Sequence, residues 1–222
     1  MKLTFWGAAQ QVTGSMYLLE LADDYRILID CGSNLERTNG LNPPVEQPFP
    51  TGFFPFEASS INVVLLTHAH IDHSGNLPNL YREGYEGQIL CTEPTYALTD
   101  ILLKDAASLN QRKINDLNGS RKKKTLDKQV KLHQELFLEK QVRESMESVV
   151  ALQFDRKFRL TDSCSVTFLP AGHLLGAAHI VVDIFENGER KSICFSGDIG
   201  RKNYPLLVDP APVPNVDYLV CE

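Results

Sequence analysis

Six consecutive residues concentrate the chemistry in this sequence. His68-Ala69-His70-Ile71-Asp72-His73 sets three imidazoles and a carboxylate in one short stretch. Alternate residues of an extended chain project to the same side, so His68 and His70 can hold one metal ion. Asp72 and His73, past the following turn, point toward a second position. Imidazole nitrogen and carboxylate oxygen suit zinc, and also manganese or iron. Helix capping would explain Asp72 alone and leaves the histidines unexplained. Two later glycine loops add donors: His173 in Ala171-Gly172-His173-Leu174-Leu175-Gly176, and Asp198 in Ser196-Gly197-Asp198-Ile199-Gly200. A carboxylate between two ions can bridge them, and loops converging on one sheet edge would make a dinuclear site. Asp30, before Cys31-Gly32, is expected to orient a ligand from behind.

Each loop needs a strand to aim it. Ile61–Leu66 is a continuous apolar run of strand length, as in a strand covered on both faces, and it leads straight into His68. Strands are also expected at 4–6, 15–21, 26–30, 88–91, 165–170, 179–185, 191–196 and 218–221. Hairpin turns fall at Asp23-Asp24 and Asn187-Gly188. Residues 93–150 read as helical, with one helix over 95–110 and another over 126–149. Between Asn34 and Ser60 lies a Pro- and Gly-rich loop whose Phe49, Phe53, Phe54 and Phe56 suit either a satellite core or a substrate contact. The strand, helix, strand order predicts an α/β domain over residues 1–222, with two mixed sheets packed together and flanked by helices.

Composition excludes several classes. The 222 residues are 43% hydrophobic with a net charge of −6, which fits neither a disordered chain nor a membrane-spanning one. Five cysteines without CxxC spacing read as core residues of a reducing compartment, so a cytoplasmic location is expected. Charge is uneven: residues 104–147 carry 11 Lys/Arg against 7 Asp/Glu, a net of +4, and the remainder has a net of −10. A basic segment on an acidic body, including Arg121-Lys122-Lys123-Lys124, suggests a polyanionic partner or simply a solvated basic loop.

These motifs together resemble the metallo-β-lactamase superfamily, and more closely its β-CASP branch of RNA nucleases. The branch resemblance runs through Gly7-Ala8, Val12-Thr13-Gly14-Ser15, Thr67 to Gly75, Ala171-Gly172-His173 with Gly176-Ala177, Ser196-Gly197-Asp198, and Val220-Cys221-Glu222. It implies an αββα sandwich with two zinc ions. His68, His70 and His173 would bind the first, and Asp72, His73 and a bridging Asp198 the second. It further implies catalytic roles for Asp72 and Glu222, single-stranded RNA as substrate, and hydrolysis by a metal-bound hydroxide. The cap domain and later histidines of that branch are absent from these 222 residues. The chain therefore resembles an N-terminal portion and is expected to be a weak nuclease alone. A small-molecule thioesterase or lactonase of the same fold, or a non-catalytic RNA-processing subunit, are the alternatives. His133 and His179 match no motif and are expected to be structural.

Overall fold

Apolar runs without alternation mark strands buried on both faces, and the central strands of the first sheet are of that kind. The computed structural model describes residues 1–8, 12–33, 54–119 and 136–222. Here β1 (Lys2–Phe5), β2 (Tyr17–Glu20) and β3 (Arg26–Ile29) pair antiparallel. The sheet continues in parallel through β4 (Val63–Leu65), β5 (Gln88–Thr92) and β6 (Val149–Leu152), in the order β1-β2-β3-β4-β5-β6. Parallel neighbours require crossovers. The short helices α1 (Ile71–Ser74) and α2 (Leu77–Arg82) lie between β4 and β5 in the chain, and α3 (Glu93–Gly119) and α4 (Glu139–Glu147) between β5 and β6.

The second sheet has the order β11-β10-β9-β8-β7. Strands β7 (Lys157–Arg159), β8 (Cys164–Pro170), β9 (Ala178–Glu186) and β10 (Glu189–Phe195) are antiparallel, and β11 (Tyr218–Val220) runs parallel to β10. Alternation decides the packing. Leu19, Ile27, Ile29, Val63, Leu65 and Leu90 face Val166, Phe168, Ile180, Val182, Ile193 and Phe195 between the sheets. Their neighbours Leu18, Leu28, Val64, Leu66, Ile89 and Cys91 face the other way, onto Leu77, Leu80 and Tyr85. Helices α3 and α4 meet through Leu103, Ala107, Val142 and Met146. Each fully buried side chain of this kind contributes about 1.5–3 kcal/mol relative to exposure. The result is the expected α/β sandwich of two mixed sheets flanked by helices.

Several local expectations change. Helix α3 runs from Glu93 to Gly119, well beyond 95–110. Residues 136–138 are not helical, and Val149 already opens β6, so the helical reading through residue 150 is corrected at both points. The Val149-Val150 pair is β-branched and docks in register on Ile89 and Leu90, which a tertiary partner decides and periodicity does not. Strand β7 had no sequence signal, being three exposed residues long. Phe54 is a core residue stacked on Phe56 at 5.4 Å between ring centroids. Phe49, Phe53, Arg121 to Lys124, His133 and the first part of the helix expected over 126–149 lie outside the described residues. Four cysteines are buried as expected, whereas Cys221, just after edge strand β11, is exposed; all five are free thiols. Among the described residues no helix is long and apolar enough to cross a membrane.

Candidate metal centre

Each candidate donor sits just beyond a strand end, and short hydrogen bonds tie those ends together. After β4 the chain runs through Thr67 to His68, and α1 then turns His73 back so that its ring lies 4.0 Å from that of His68. Ser74 Oγ donates to the Ala69 carbonyl at 2.9 Å and pins this loop. From the second sheet, Ala178 N donates to the Thr67 carbonyl at 2.9 Å. The His173 loop is closed by Ala171 N on the Ala177 carbonyl at 2.8 Å and held from the other side by Thr92 Oγ1 on the Gly176 carbonyl at 2.7 Å. Beyond Asp198, Gly200 N donates to the Ala171 carbonyl at 2.8 Å. A Cβ on Gly200 would stand 1.8 Å from the Gly172 carbonyl oxygen, so only glycine lets the two backbones meet there.

These ties bring His68, His70, His173 and Asp198 to one point, with one donor atom from each all within 4.8 Å of one another. His70 Nδ1 lies 3.1 Å from both His68 Nε2 and His173 Nε2. Nitrogens of a tetrahedral site with zinc bonds of ~2.05 Å would stand ~3.3 Å apart, close to that spacing. Asp198 Oδ2 completes the group, 3.2 Å from His173 Nε2 and 3.7 Å from His68 Nε2.

A second group shares Asp198. His73, Asp198 and Glu222 each offer a donor within 4.8 Å of the others. His73 Nε2 is 3.4 Å from Asp198 Oδ1 and 3.4 Å from Glu222 Oε2. The two oxygens of Asp198 therefore face different groups. Glu222 also accepts a hydrogen bond from the Tyr17 hydroxyl.

Behind both groups stands Asp30, 1% exposed and in the left-handed region at φ 57°. Its Oδ1 accepts from Thr67 N, and its Oδ2 accepts from Thr67 Oγ1 and lies 2.7 Å from His73 Nδ1. A carboxylate can only accept, so Nδ1 of His73 carries the proton toward it and Nε2 turns its remaining position to the site. Thr67 has spent its one hydroxyl proton on Asp30. Toward His68 Nδ1, 3.0 Å away, it can therefore only accept, which leaves Nε2 of His68 with its lone pair free for a metal.

The electrostatics fit a cation. Burial, then the neighbouring His73 charge, pushes His68 down to about 2. Burial lowers His173 as well, so both rings are neutral donors at neutral pH. Asp198, hydrogen-bonded to His73 and facing His68 and His173, is held well below the usual carboxylate range. His73 goes the other way: burial opposes its charge, but Asp30, Asp198 and Glu222 outweigh it and raise the ring to about 11. Burial and the Asp30 charge raise Glu222. The second group thus already attracts one positive charge in the form of a proton, which is the property a metal position requires.

Of the residues expected from sequence, His68, His70, His73, His173, Asp198 and Glu222 converge, and Asp30 lies directly behind them. The Asp72 carboxylate belongs to neither group of donors. His179 is buried and its Nδ1 meets the Ser196 carbonyl at 2.6 Å, a structural contact. Sequence reasoning did not single out Thr67 or Tyr17. Thr67 sits inside the histidine motif, but its role depends on Asp30, and Tyr17 read only as a strand residue.

A two-sheet sandwich whose strand-end loops gather histidines and a shared aspartate places the chain in the class of sandwich folds with a candidate metal centre at one sheet edge. The chain belongs to the metallo-beta-lactamase superfamily, whose profile matches residues 10–220. It is similar to ribonuclease TTHA0252 of Thermus thermophilus, 35% identical over 100% of this chain and 43% of that protein. It is also similar to transcription termination factor FttA of Methanocaldococcus jannaschii, 27% identical over 100% of this chain and 31% of that one. Integrator complex subunit 11 of Danio rerio is 28% identical over 89% of this chain and 29% of its own length. The chain therefore spans less than half the length of these relatives. They are the kind of protein the β-CASP resemblance implied. Among solved structures, native FEZ-1 metallo-beta-lactamase from Legionella gormanii matches with a TM-score of 0.50 at 17% identity, covering 92% of this chain and 64% of that one; this likeness concerns the fold alone.

Proposed function

We propose that this chain carries the metal centre of an RNA phosphodiesterase, and that the centre holds two zinc ions, with manganese or iron able to substitute. The observation carrying this reading is the position of Asp198, whose two oxygens face two separate donor groups. His68, His70 and His173 would hold one ion and His73 the other, with Asp198 between them. Glu222 would complete the second position, and Asp72, next to His73 in the chain but outside the converged donors, would join it or act on the substrate. When bound, such ions supply a nucleophile from water at neutral pH and offset phosphate charge.

The chain's own residues do the positioning. Asp30 and Thr67 fix which nitrogen of His73 and His68 faces the site, so no ring must turn when substrate arrives. Glu222, held by Tyr17 and raised by burial, is placed to hold or release a proton at its carboxyl oxygen. RNA as the substrate rests on the ribonuclease relative, 35% identical across the whole chain. Five free thiols suit a reducing compartment, and we assign the protein to the cytoplasm.

The test is a labelled single-stranded RNA oligomer incubated with the chain and added zinc or manganese, with metal content measured in parallel. The expected result is slow, metal-dependent cleavage that disappears when His68 and His73 are both replaced by alanine. Bound metal with hydrolysis of thioesters or lactones and none of RNA would overturn the substrate assignment. Absence of bound metal would overturn the centre itself.

A further inference from the structure

The loop that leaves the metal centre after Asp198 combines features that the site does not use. We propose that it is a nucleotide subsite, with Tyr204 and Arg201 forming a stacking platform for one base of single-stranded RNA and Lys202 meeting its phosphate. This rests on the reading of the site as an RNA phosphodiesterase and extends it to the adjoining nucleotide.

Position comes first. The loop departs where Gly200 N donates to the Ala171 carbonyl and returns where Ala211 N donates to the Pro170 carbonyl, each at 2.8 Å. Both anchors lie on the segment leading directly into His173, so the two ends of residues 201–210 are fixed beside the His173 loop. Inside the loop, Asn203 N donates to Asp209 Oδ1 at 2.7 Å, and Leu207 N meets the Tyr204 carbonyl at 3.3 Å. Asn203 and Leu206 adopt left-handed φ values of 58° and 68°, a conformation that residues with a Cβ enter only when their surroundings impose it. The fold thus holds this loop in one shape. Arg201 is three residues from Asp198, which puts its Cα within ~11 Å of that ligand's Cα.

Chemistry comes second. The Arg201 guanidinium carbon lies 4.7 Å from the centroid of the Tyr204 ring. Tyr204 is 46% exposed and Leu206 beside it 93% exposed, so a cation–aromatic pair with an apolar neighbour is presented to solvent. Arg201 and Lys202 are exposed, and among the described residues neither joins an ion pair, in a chain with six more acidic than basic groups. A stacked guanidinium and phenol accept any base on its flat face, and unpaired cations on an acidic body meet phosphate. A nucleotide needs both functions in one place, and this loop supplies both beside the centre.

The experiment measures binding with the metals removed, so that the centre itself cannot hold the phosphate. A fluorescein-labelled, unstructured RNA decamer is titrated with the chain in EDTA and followed by anisotropy; circular dichroism confirms that each variant is folded. Tyr204→Ala should weaken binding about 10-fold while Tyr204→Trp retains it. Arg201→Ala should weaken it, and Lys202→Ala should lower the slope of log affinity against log salt by about 0.7. Variants that bind as the wild type does, a wild type that binds no RNA, or equal Tyr204-dependent capture of a polyglutamate peptide would each overturn the subsite. Metal-dependent cleavage, scored separately on the same proteins, tests the phosphodiesterase reading. Binding that follows Tyr204 without any cleavage would sink that reading and support the platform, while cleavage with unchanged binding across the variants would do the reverse.

Discussion

Replacing Asp30 by asparagine changes one oxygen into an amide nitrogen, yet it should disturb both donor groups. The carboxylate accepts three hydrogen bonds, from Thr67 N, Thr67 Oγ1 and the Nδ1 side of His73, each at 2.7 Å. Asparagine keeps one acceptor oxygen. If its nitrogen replaces Oδ1, it opposes the Thr67 N–H. If it replaces Oδ2, it opposes the Thr67 hydroxyl and forces His73 to accept on Nδ1, which moves the ring proton to Nε2, the atom facing Asp198 and Glu222. Charge-assisted bonds contribute about 1.5–3 kcal/mol each, so one lost bond plus one stranded buried donor costs about 3 kcal/mol. For a chain of this size that lowers the melting temperature by about 6–12 °C. Loss of a partner behind a ligand also costs about 10–100-fold in metal affinity. Asp30→Asn should therefore melt lower and bind zinc more weakly in competition with a chromophoric chelator, with the His73 position affected most. A folded Asp30→Asn protein that binds two zinc ions within twofold of wild-type affinity would refute the argument that Asp30 sets the ring orientation.

Three other outcomes follow from the structure. A Cβ at Gly32 would lie 1.6 Å from the Asp72 carbonyl oxygen and 2.8 Å from Ser15 N, both backbone atoms, so Gly32→Ala should cost roughly 3 kcal/mol or more in thermal unfolding. Gly84→Ala, with nothing near and only a φ of +95° to strain it, should cost about 1–2 kcal/mol. In the metal-free protein His73 is raised from 6.5 to about 11, so the stability it contributes is full below pH 6.5 and is lost as pH rises through about 11. Denaturant midpoints of EDTA-treated protein should fall between pH 7 and 10.5, more steeply for wild type than for Asp30→Asn; equal slopes in the two proteins would contradict this.

The centre was largely legible in sequence because its donors lie at strand ends, where two-residue spacing and glycine loops leave a local signature. His68, His70, His73, His173 and Asp198 were all found that way. What escaped depends on partners distant in the chain. Thr67 acquires its role only when Asp30 arrives from β3, and Tyr17 only when Glu222 arrives beside it. The Asp72 carboxylate shares a motif with the candidate donors but lies outside both groups, a difference between neighbours on α1 that residue spacing does not show. The sheets were found where runs were long and apolar. They were missed at β6, which follows helix α4 after a single residue, and at β7, whose three residues are all exposed.

The Asp198 position also has a bearing on how the chain folds. His70 and His173 are 103 residues apart, and Tyr17 and Glu222 are 205 apart. No donor group is complete until strands from both sheets have docked, and closing such long loops before any contact rewards them is slow. An ion added to the unfolded chain meets at most the local histidines of 68–73 and cannot template the rest. Metal should therefore leave the refolding rate nearly unchanged and act on the other limb, slowing the escape from the native state. The occupied centre would work as a latch that closes after the sandwich has formed.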